Sequence, residues 1–212
     1  MKFDDRRHAG RCLAQALAAW RGQPNLLVLG LPRGGVPVAA EVALALQAPL
    51  DVLVVRKLGY PGQEELAMGA IASGGIRVMT EVPDLWPVEE AAVEETVRRE
   101  QAELERRERL YRGARERPAI KDRVVLLVDD GLATGATMRA AVQSVRLGEP
   151  ARVVVAVPVA SSEAVASLGQ LADEVVCVET PEPFRAVGLW YRNFDQTTDD
   201  EVRDLLKLSQ MT

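Results

Sequence analysis

Apolar residues in this chain collect in short unbroken runs, separated by stretches with helical spacing. The runs lie at residues 25–30 (NLLVLG), 51–55 (DVLVV), 123–128 (RVVLLV), 152–158 (RVVVAVP) and 174–178 (EVVCV). None of them alternates polar with apolar positions, which is the signature of strands covered on both faces, as in a parallel sheet. Helical spacing occupies the intervals. Residues 5–20 put Leu13, Leu17 and Trp20 on one face, residues 36–47 and 137–147 repeat the pattern, and a short helix begins near Glu163. Residues 199–208 (DDEVRDLLKL) read as a capped helix. Residues 66–79 alternate weakly around Ser73-Gly74-Gly75 and predict a hairpin. From about 87 to 115 the chain predicts a charged helix with Val93, Val97 and Leu104 as its apolar seam and i,i+4 ion pairs on a solvated face.

Size and composition narrow the class. With 212 residues, 48% of them hydrophobic and 27% charged, the chain is long enough for one sizeable core and is ordinary for a soluble globular protein. A net charge of −5 gives no basic footprint for nucleic acid. Residues 1–20 carry early charges of both signs and lack the apolar core of a signal peptide, and no apolar run approaches the roughly 20 residues that span a bilayer. A cytoplasmic protein is the expectation. Cys12 and Cys177 stand far apart and the chain has one histidine, His8, so a structural zinc site is not expected. Both cysteines read as small buried hydrophobes, and His8 as a surface or packing residue.

Two loops break the plain pattern, each after a predicted strand. In "VVLLVDDGLATGAT" (residues 124–137), a buried strand gives way to Asp129-Asp130 and then to small residues. Gly131 and Gly135 allow backbone conformations that other residues resist. Amides from Ala133 to Thr137 can converge at a helix N-terminus as an anion nest, with Thr134 and Thr137 adding hydroxyls. Two carboxylates beside such a nest would repel an anion, and so should face sugar hydroxyls or Mg²⁺ instead. Acceptors for a diol beside donors for a phosphate describe a ribose-phosphate site; the plain alternative is an Asp-rich strand-to-helix turn. The second loop is "LPRGG" (residues 31–35). Neither a G-x-x-x-x-G-K-[ST] loop nor a G-x-G-x-x-G fingerprint is present, and G-x-S-x-G is absent as well.

The acidic pair followed by "GLATGAT" resembles the phosphoribosyl-pyrophosphate signature of type I phosphoribosyltransferases, and the order of elements agrees over most of the chain. The resemblance implies an α/β fold with a parallel sheet of about five strands flanked by helices, a small hood and a mobile lid. Residues 1–212 would form a single domain, with hood and lid at about 59–80 and 181–197. By the same resemblance Asp129 and Asp130 meet the ribose 2′- and 3′-hydroxyls and are the catalytic candidates. Ala133, Thr134, Gly135, Ala136 and Thr137 hold the 5′-phosphate. Arg33, Gly34 and Gly35 form the pyrophosphate loop, which in this family often contains a non-proline cis peptide. Arg56 and Lys57 would receive the leaving pyrophosphate. Mg²⁺ is the implied cofactor, carried by phosphoribosyl pyrophosphate and waters near Asp129 and Asp130, with no protein ligand of its own.

The stretch 59–71 (GYPGQEELAMGAI) fits the family's lid, with Glu64 or Glu65 as candidates for proton transfer. Segment 183–194 holds four of the chain's nine aromatic residues and resembles the hood, where Phe184 or Trp190 would stack on a base; rings closing a small hood core are the alternative. Some relatives acting on 6-oxopurines have a carboxylate where this chain has Ala133, which cannot take a proton. The leading expectation is a transferase moving 5-phosphoribose from phosphoribosyl pyrophosphate to a nitrogenous base, within nucleotide metabolism. A non-catalytic nucleotide or phosphoribosyl-pyrophosphate sensor on the same scaffold is a second reading, and a sugar-nucleotide enzyme using the same nest for a different phosphate a third. No nucleic acid or membrane partner is expected. Many members of the family are dimers, and by that analogy alone a homodimer with the charged helix at its interface is one open option, the sequence itself leaving the oligomeric state unassigned.

Overall fold

The computed structural model describes residues 2–79 and 89–209. Five strands form a parallel sheet: β1 (Leu26–Gly30), β2 (Leu50–Val52), β6 (Val124–Val128), β7 (Arg152–Val159) and β8 (Glu174–Glu179), in the order β2-β1-β6-β7-β8. Alternate residues of one strand feed two cores. Leu26 and Val28 of β1 face one cluster while Leu27 and Leu29 face the other, and β6 divides Leu126 and Val128 from Val125 and Leu127 in the same way. Both faces are dry, which accounts for the unbroken apolar runs.

Helices α1 (Arg6–Ala16), α2 (Gly35–Leu46) and α6 (Asp199–Leu208) cover one face; α4 (Ala136–Arg146) and α5 (Ser162–Leu168) cover the other. Asp5 caps α1 by accepting the His8 N–H at 2.7 Å, and Thr198 caps α6 by accepting that of Glu201 at 3.1 Å. The helix expected over residues 5–20 is shorter, closing at Ala16 and continuing as a 3₁₀ turn at Ala18–Trp20.

The run at residues 51–55 does not form one strand. Its first half lies in β2, and the chain then turns into β3 (Val55–Tyr60), which pairs antiparallel with β4 (Gln63–Ala72), itself paired with β5 (Ile76–Met79). The expected hairpin therefore exists, with Gly74 and Gly75 at φ 98° and 69° in its turn, but as part of a separate three-stranded sheet. At Gly69 an added Cβ would collide with the Val78 carbonyl oxygen, so β4 and β5 need glycine there.

This small sheet packs against α4 and against α3 (Glu90–Arg112). Val93, Val97 and Leu104 do form the apolar seam of α3, and Arg107–Glu103 pairs at i,i+4. The helix is not simply a solvated face, however. Arg112, 7% exposed, gives Nε to Asp51 Oδ2 at 2.7 Å, Nη1 to Glu108 at 2.6 Å and Nη2 to the Val52 carbonyl at 2.5 Å. That network locks α3 to β2 just before the chain leaves the main sheet. Residues 87 and 88 of the expected helix, and residue 80 at the end of the expected lid, lie outside the described residues.

Candidate functional site

Strand order reverses between β1 and β6: the chain passes outward from β1 to β2, and from β6 through β7 to β8 on the other side. Ligands of open parallel sheets sit beyond the strand C-termini at such a switch point. The two unusual loops leave β1 and β6 there, and they touch. A Cβ on Gly34 would collide with Asp130 Oδ2, and one on Gly35 would lie 2.7 Å from the Val128 carbonyl and 2.9 Å from Asp129 Cα. Only glycine lets the β1 loop lie against the acids. The Pro32–Arg33 peptide in this loop is cis, the conformation the resemblance implies. Arg33 is half-buried, and its side chain forms no hydrogen bond or ion pair with any described residue.

The acids are strongly perturbed. Asp129 Oδ1 accepts the Asp130 N–H at 2.8 Å, and Asp130 Oδ2 accepts from Arg6 Nε at the same distance. Burial, followed by the neighbouring Asp130 charge, pushes the Asp129 carboxyl well above its usual value. Burial also raises Asp130, against the opposing pull of Arg6. Asp129 Oδ2 and Asp130 Oδ1 accept no hydrogen bond from the described residues, which leaves each acid one oxygen for a ligand. Hard oxygen donors suit Mg²⁺, and among the described residues no group of three or more acidic, His or Cys side chains forms a protein cage for a metal.

Beyond the acids, Leu132 bridges to Ala160, which anchors the loop to the end of β7. Ser161, the N-cap of α5, donates its hydroxyl to the Ala133 carbonyl at 2.7 Å. Gly135 takes φ 71° and opens α4, a left-handed position that favours glycine. Ala133, Thr134, Ala136 and Thr137 are exposed. The N–H groups of Ala133, Thr134, Gly135 and Thr137 donate to no described acceptor, and that of Ala136 only to Thr134 Oγ1 at 3.5 Å. These unpaired amides at the start of α4 are chemically an anion nest.

The other candidates belong to other elements. Arg56 and Lys57 are adjacent on β3 and so point to opposite faces of it. Arg56 turns to α3, giving Nη2 and Nε to Glu100 Oε2 at 2.6 and 2.9 Å, while Lys57 is exposed. The proposed lid, residues 59–71, comprises the end of β3, a turn at Pro61-Gly62 and most of β4. The side chains of Glu64 and Glu65 lie outside the described residues. Phe184 and Trp190 pack on a small cluster of Phe3, Ala9, Val159 and Tyr191.

Sequence reasoning missed the groups that hold the acids. The Tyr191 hydroxyl donates to the Asp130 carbonyl at 2.5 Å, and burial raises that phenol far above its ordinary value. Arg6 pairs with Asp130 and lies over the Phe194 ring, 3.9 Å from its centroid. One signal was available: Arg6 opens a helix, where a cation opposes the helix dipole unless something else holds it.

Known proteins extend this geometry. Residues 6–189 match the family described as "Phosphoribosyl transferase domain". Over 94% of its length the chain is 53% identical to "Putative phosphoribosyl transferase Rv0571c" of Mycobacterium tuberculosis H37Rv, and it spans 45% of that relative. The chain thus covers less than half the length of this curated relative. The crystal structure of TT1426 from Thermus thermophilus superposes with a TM-score of 0.85 at 49% identity, covering 97% of this chain and 98% of that one. A Neisseria gonorrhoeae protein solved with bound ppGpp shares the fold, at 16% identity and TM-score 0.51 over 98% of each chain. No helix among the described residues is long and apolar enough to cross a membrane. With a switch-point acid pair, an amide nest and a family match across most of its length, the chain belongs to the phosphoribosyl transferase domain family.

Proposed function

We propose that the chain transfers 5-phosphoribose from phosphoribosyl pyrophosphate to a nitrogenous base and releases pyrophosphate. One observation carries the reading: paired acids and unpaired amides lie at the two ends of a single loop at the sheet's switch point. Asp129 and Asp130 accept the ribose hydroxyls through the oxygens that protein donors leave open. The amides of residues 133–137 anchor the 5′-phosphate, and Arg33, which has no ion pair among the described residues, meets the pyrophosphate beside Gly34 and Gly35. Bound with the donor, Mg²⁺ would neutralise charge on the pyrophosphate. What remains is positioning and electrostatics, since no group at Ala133 can take a proton from the acceptor. Arg56 joins the pyrophosphate only if its pair with Glu100 opens, and Lys57 is its exposed neighbour on β3. Phe184 and Trp190 belong to the hood that would cover the base.

Incubation with phosphoribosyl pyrophosphate, Mg²⁺ and a panel of nucleobases tests this by pyrophosphate release. Release with one base, abolished in Asp129→Asn/Asp130→Asn with an intact fold, is the expected outcome. Release that survives in the double variant would refute the roles given to the acids. The absence of a proton-taking side chain at residue 133 favours a second reading, a sensor of the donor or of nucleotides. Its mark is tight binding with no release for any base.

A further inference from the structure

Arg6 is more tightly held than its place in the sequence suggests. Its side chain is 12% exposed and fixed from three sides: Nε to Asp130 Oδ2 at 2.8 Å, Nη1 to the Asp195 carbonyl at 2.6 Å, and the guanidinium plane over Phe194. Asp195 and Phe194 belong to the hood segment, whereas Asp130 belongs to the donor loop. The same hood segment reaches Asp130 a second time through the Tyr191 hydroxyl, and Tyr191 stacks between Phe3 and Phe194 at 5.6 and 4.9 Å.

The segment before α1 closes the circuit. Phe3 N–H donates to Trp190 O at 2.8 Å, Arg192 N–H to Phe3 O at 2.8 Å, and Asn193 N–H to Asp4 O at 2.9 Å. This short bridge places Arg6 against both partners at once. A cleft of about 180 Å³ opens beside it, lined by Arg6, Pro37, Asn193, Asp195 and Thr197. The charged groups facing the Asp130 carboxylate are Asp129 on its own loop and Arg6 on α1, with the Tyr191 phenol facing its backbone.

We propose that Arg6 is a positioning residue of the donor site, fastening Asp130 to the hood so that the acid pair holds the ribose only while the hood is seated. The proposal rests on the phosphoribose reading above. A lone surface ion pair would contribute almost nothing, but this one is largely shielded, charge-assisted and built against the preference of a helix N-terminus. Arginine is required for its shape as well as its charge, because one planar fork must meet a carboxylate, a carbonyl and a ring face together.

The test uses wild type, Arg6→Ala, Arg6→Gln and Arg6→Lys. Binding of Mg²⁺–phosphoribosyl pyrophosphate is measured by titration calorimetry between about pH 5 and 8, and thermal melting of the unliganded proteins is followed over the same range. Arg6→Ala and Arg6→Gln are expected to weaken the donor by about 10- to 100-fold near neutrality, in line with loss of one charge-assisted hydrogen bond. Their acid limb should move to higher pH, because Asp130 loses the cation that favours its ionised form, and Arg6→Lys should restore part of both effects.

Melting reads the same contact without donor. Arg6 stabilises ionised Asp130, so the advantage of wild type over Arg6→Gln should be present near neutrality and shrink as falling pH protonates that carboxyl. A donor affinity and acid limb unchanged in Arg6→Ala and Arg6→Gln would overturn the proposal. If wild type binds no donor at any pH, the phosphoribose reading fails separately and melting decides for Arg6. A pH-dependent gap then upholds the hold on Asp130, and a gap constant with pH overturns it.

Discussion

Asp129→Asn should make the protein more stable while damaging its proposed function. Asp129 sits at the end of the central strand of the sheet, beside a second carboxylate, and burial is the main reason its carboxyl is raised, with Asp130 second. The ionised form is therefore penalised in the folded chain. Asparagine removes the charge yet keeps an Oδ1 that can accept the Asp130 N–H, the contact that wild type makes at 2.8 Å. Relief of such a functional strain contributes about 0.5–2 kcal/mol. A chain of this length gains about 2–4 °C per kcal/mol, so the melting temperature should rise by about 1–8 °C near neutral pH. On the functional side, the proposed acceptor for a sugar hydroxyl loses its charge. At about 1.5–3 kcal/mol, that lowers donor affinity or kcat/KM by roughly 10- to 150-fold.

The pH dependence fixes the cause. A carboxyl raised in the folded state leaves that state holding more protons than the unfolded one between the ordinary value of 3.8 and the raised value. Wild-type stability from this group is thus unimpaired below the ordinary value and declines as pH rises through the window. The amide of the Asp129→Asn variant does not titrate, so that protein has no such decline. The gap between the melting curves should be close to zero near about pH 4 and widen to a plateau at higher pH. Differential scanning calorimetry of both proteins across that range decides the matter. A variant no more stable than wild type near neutrality, or a gap that does not change with pH, would refute the account of Asp129 as a strained buried acid.

Three further outcomes follow from other contacts. Gly35→Ala puts a Cβ 2.7 Å from the Val128 carbonyl and 2.9 Å from Asp129 Cα, backbone that cannot yield, so denaturant unfolding should show a loss of about 1–3 kcal/mol. Tyr191→Phe removes the donor to the Asp130 carbonyl and should lower stability by about 1 kcal/mol in the same assay, with a measurable fall in donor affinity. Arg112→Met leaves Asp51 and Glu108 without their shared cation in a mostly buried site, at a cost of about 3–5 kcal/mol, read as an early chemical denaturation midpoint.

The parallel sheet and its two special loops were legible because the physics that builds them is local. Five apolar runs without alternation report burial on both faces, and a strand followed by acids, glycines and threonines reports a candidate binding turn. Residues 51–55 were misread as one strand because a run of apolar side chains carries no mark of where the chain leaves one sheet for another. That exit is fixed by tertiary contacts, Arg112 on Asp51 and Val52, and by the pairing of Val55 with Ala72. Arg56 and Lys57 then fall on opposite faces of β3, an arrangement that depends on the strand assignment. The partners of Arg6 and Tyr191 were hidden for a related reason: their contacts with Asp130 span 124 and 61 residues of sequence, and the cation opening α1 marks Arg6 without naming what holds it.

Those long contacts also explain how a strained acid pair persists. Ionised Asp129 and Asp130 disfavour folding, so the surroundings must over-determine their position if the pair is to keep its shape without ligand. Four separate parts of the chain do so. Gly34 and Gly35 press against the acids from the β1 loop, Arg6 holds the outer carboxylate from α1, Tyr191 holds the backbone from the hood, and Leu132 ties the following turn to β7. Among the described residues Asp129 has no cation as a direct partner, and its one hydrogen-bond donor is the next amide. The unmet part of its charge is therefore directed at whatever ligand meets its open oxygen. A ligand bearing hydroxyls or a hydrated cation relieves it, and one bearing bare anionic oxygen at that point makes it worse. Under the proposed function the pair would select by polarity before shape, admitting the sugar of a phosphosugar to the acids and its phosphate to the amides of residues 133–137, and resisting the reverse orientation.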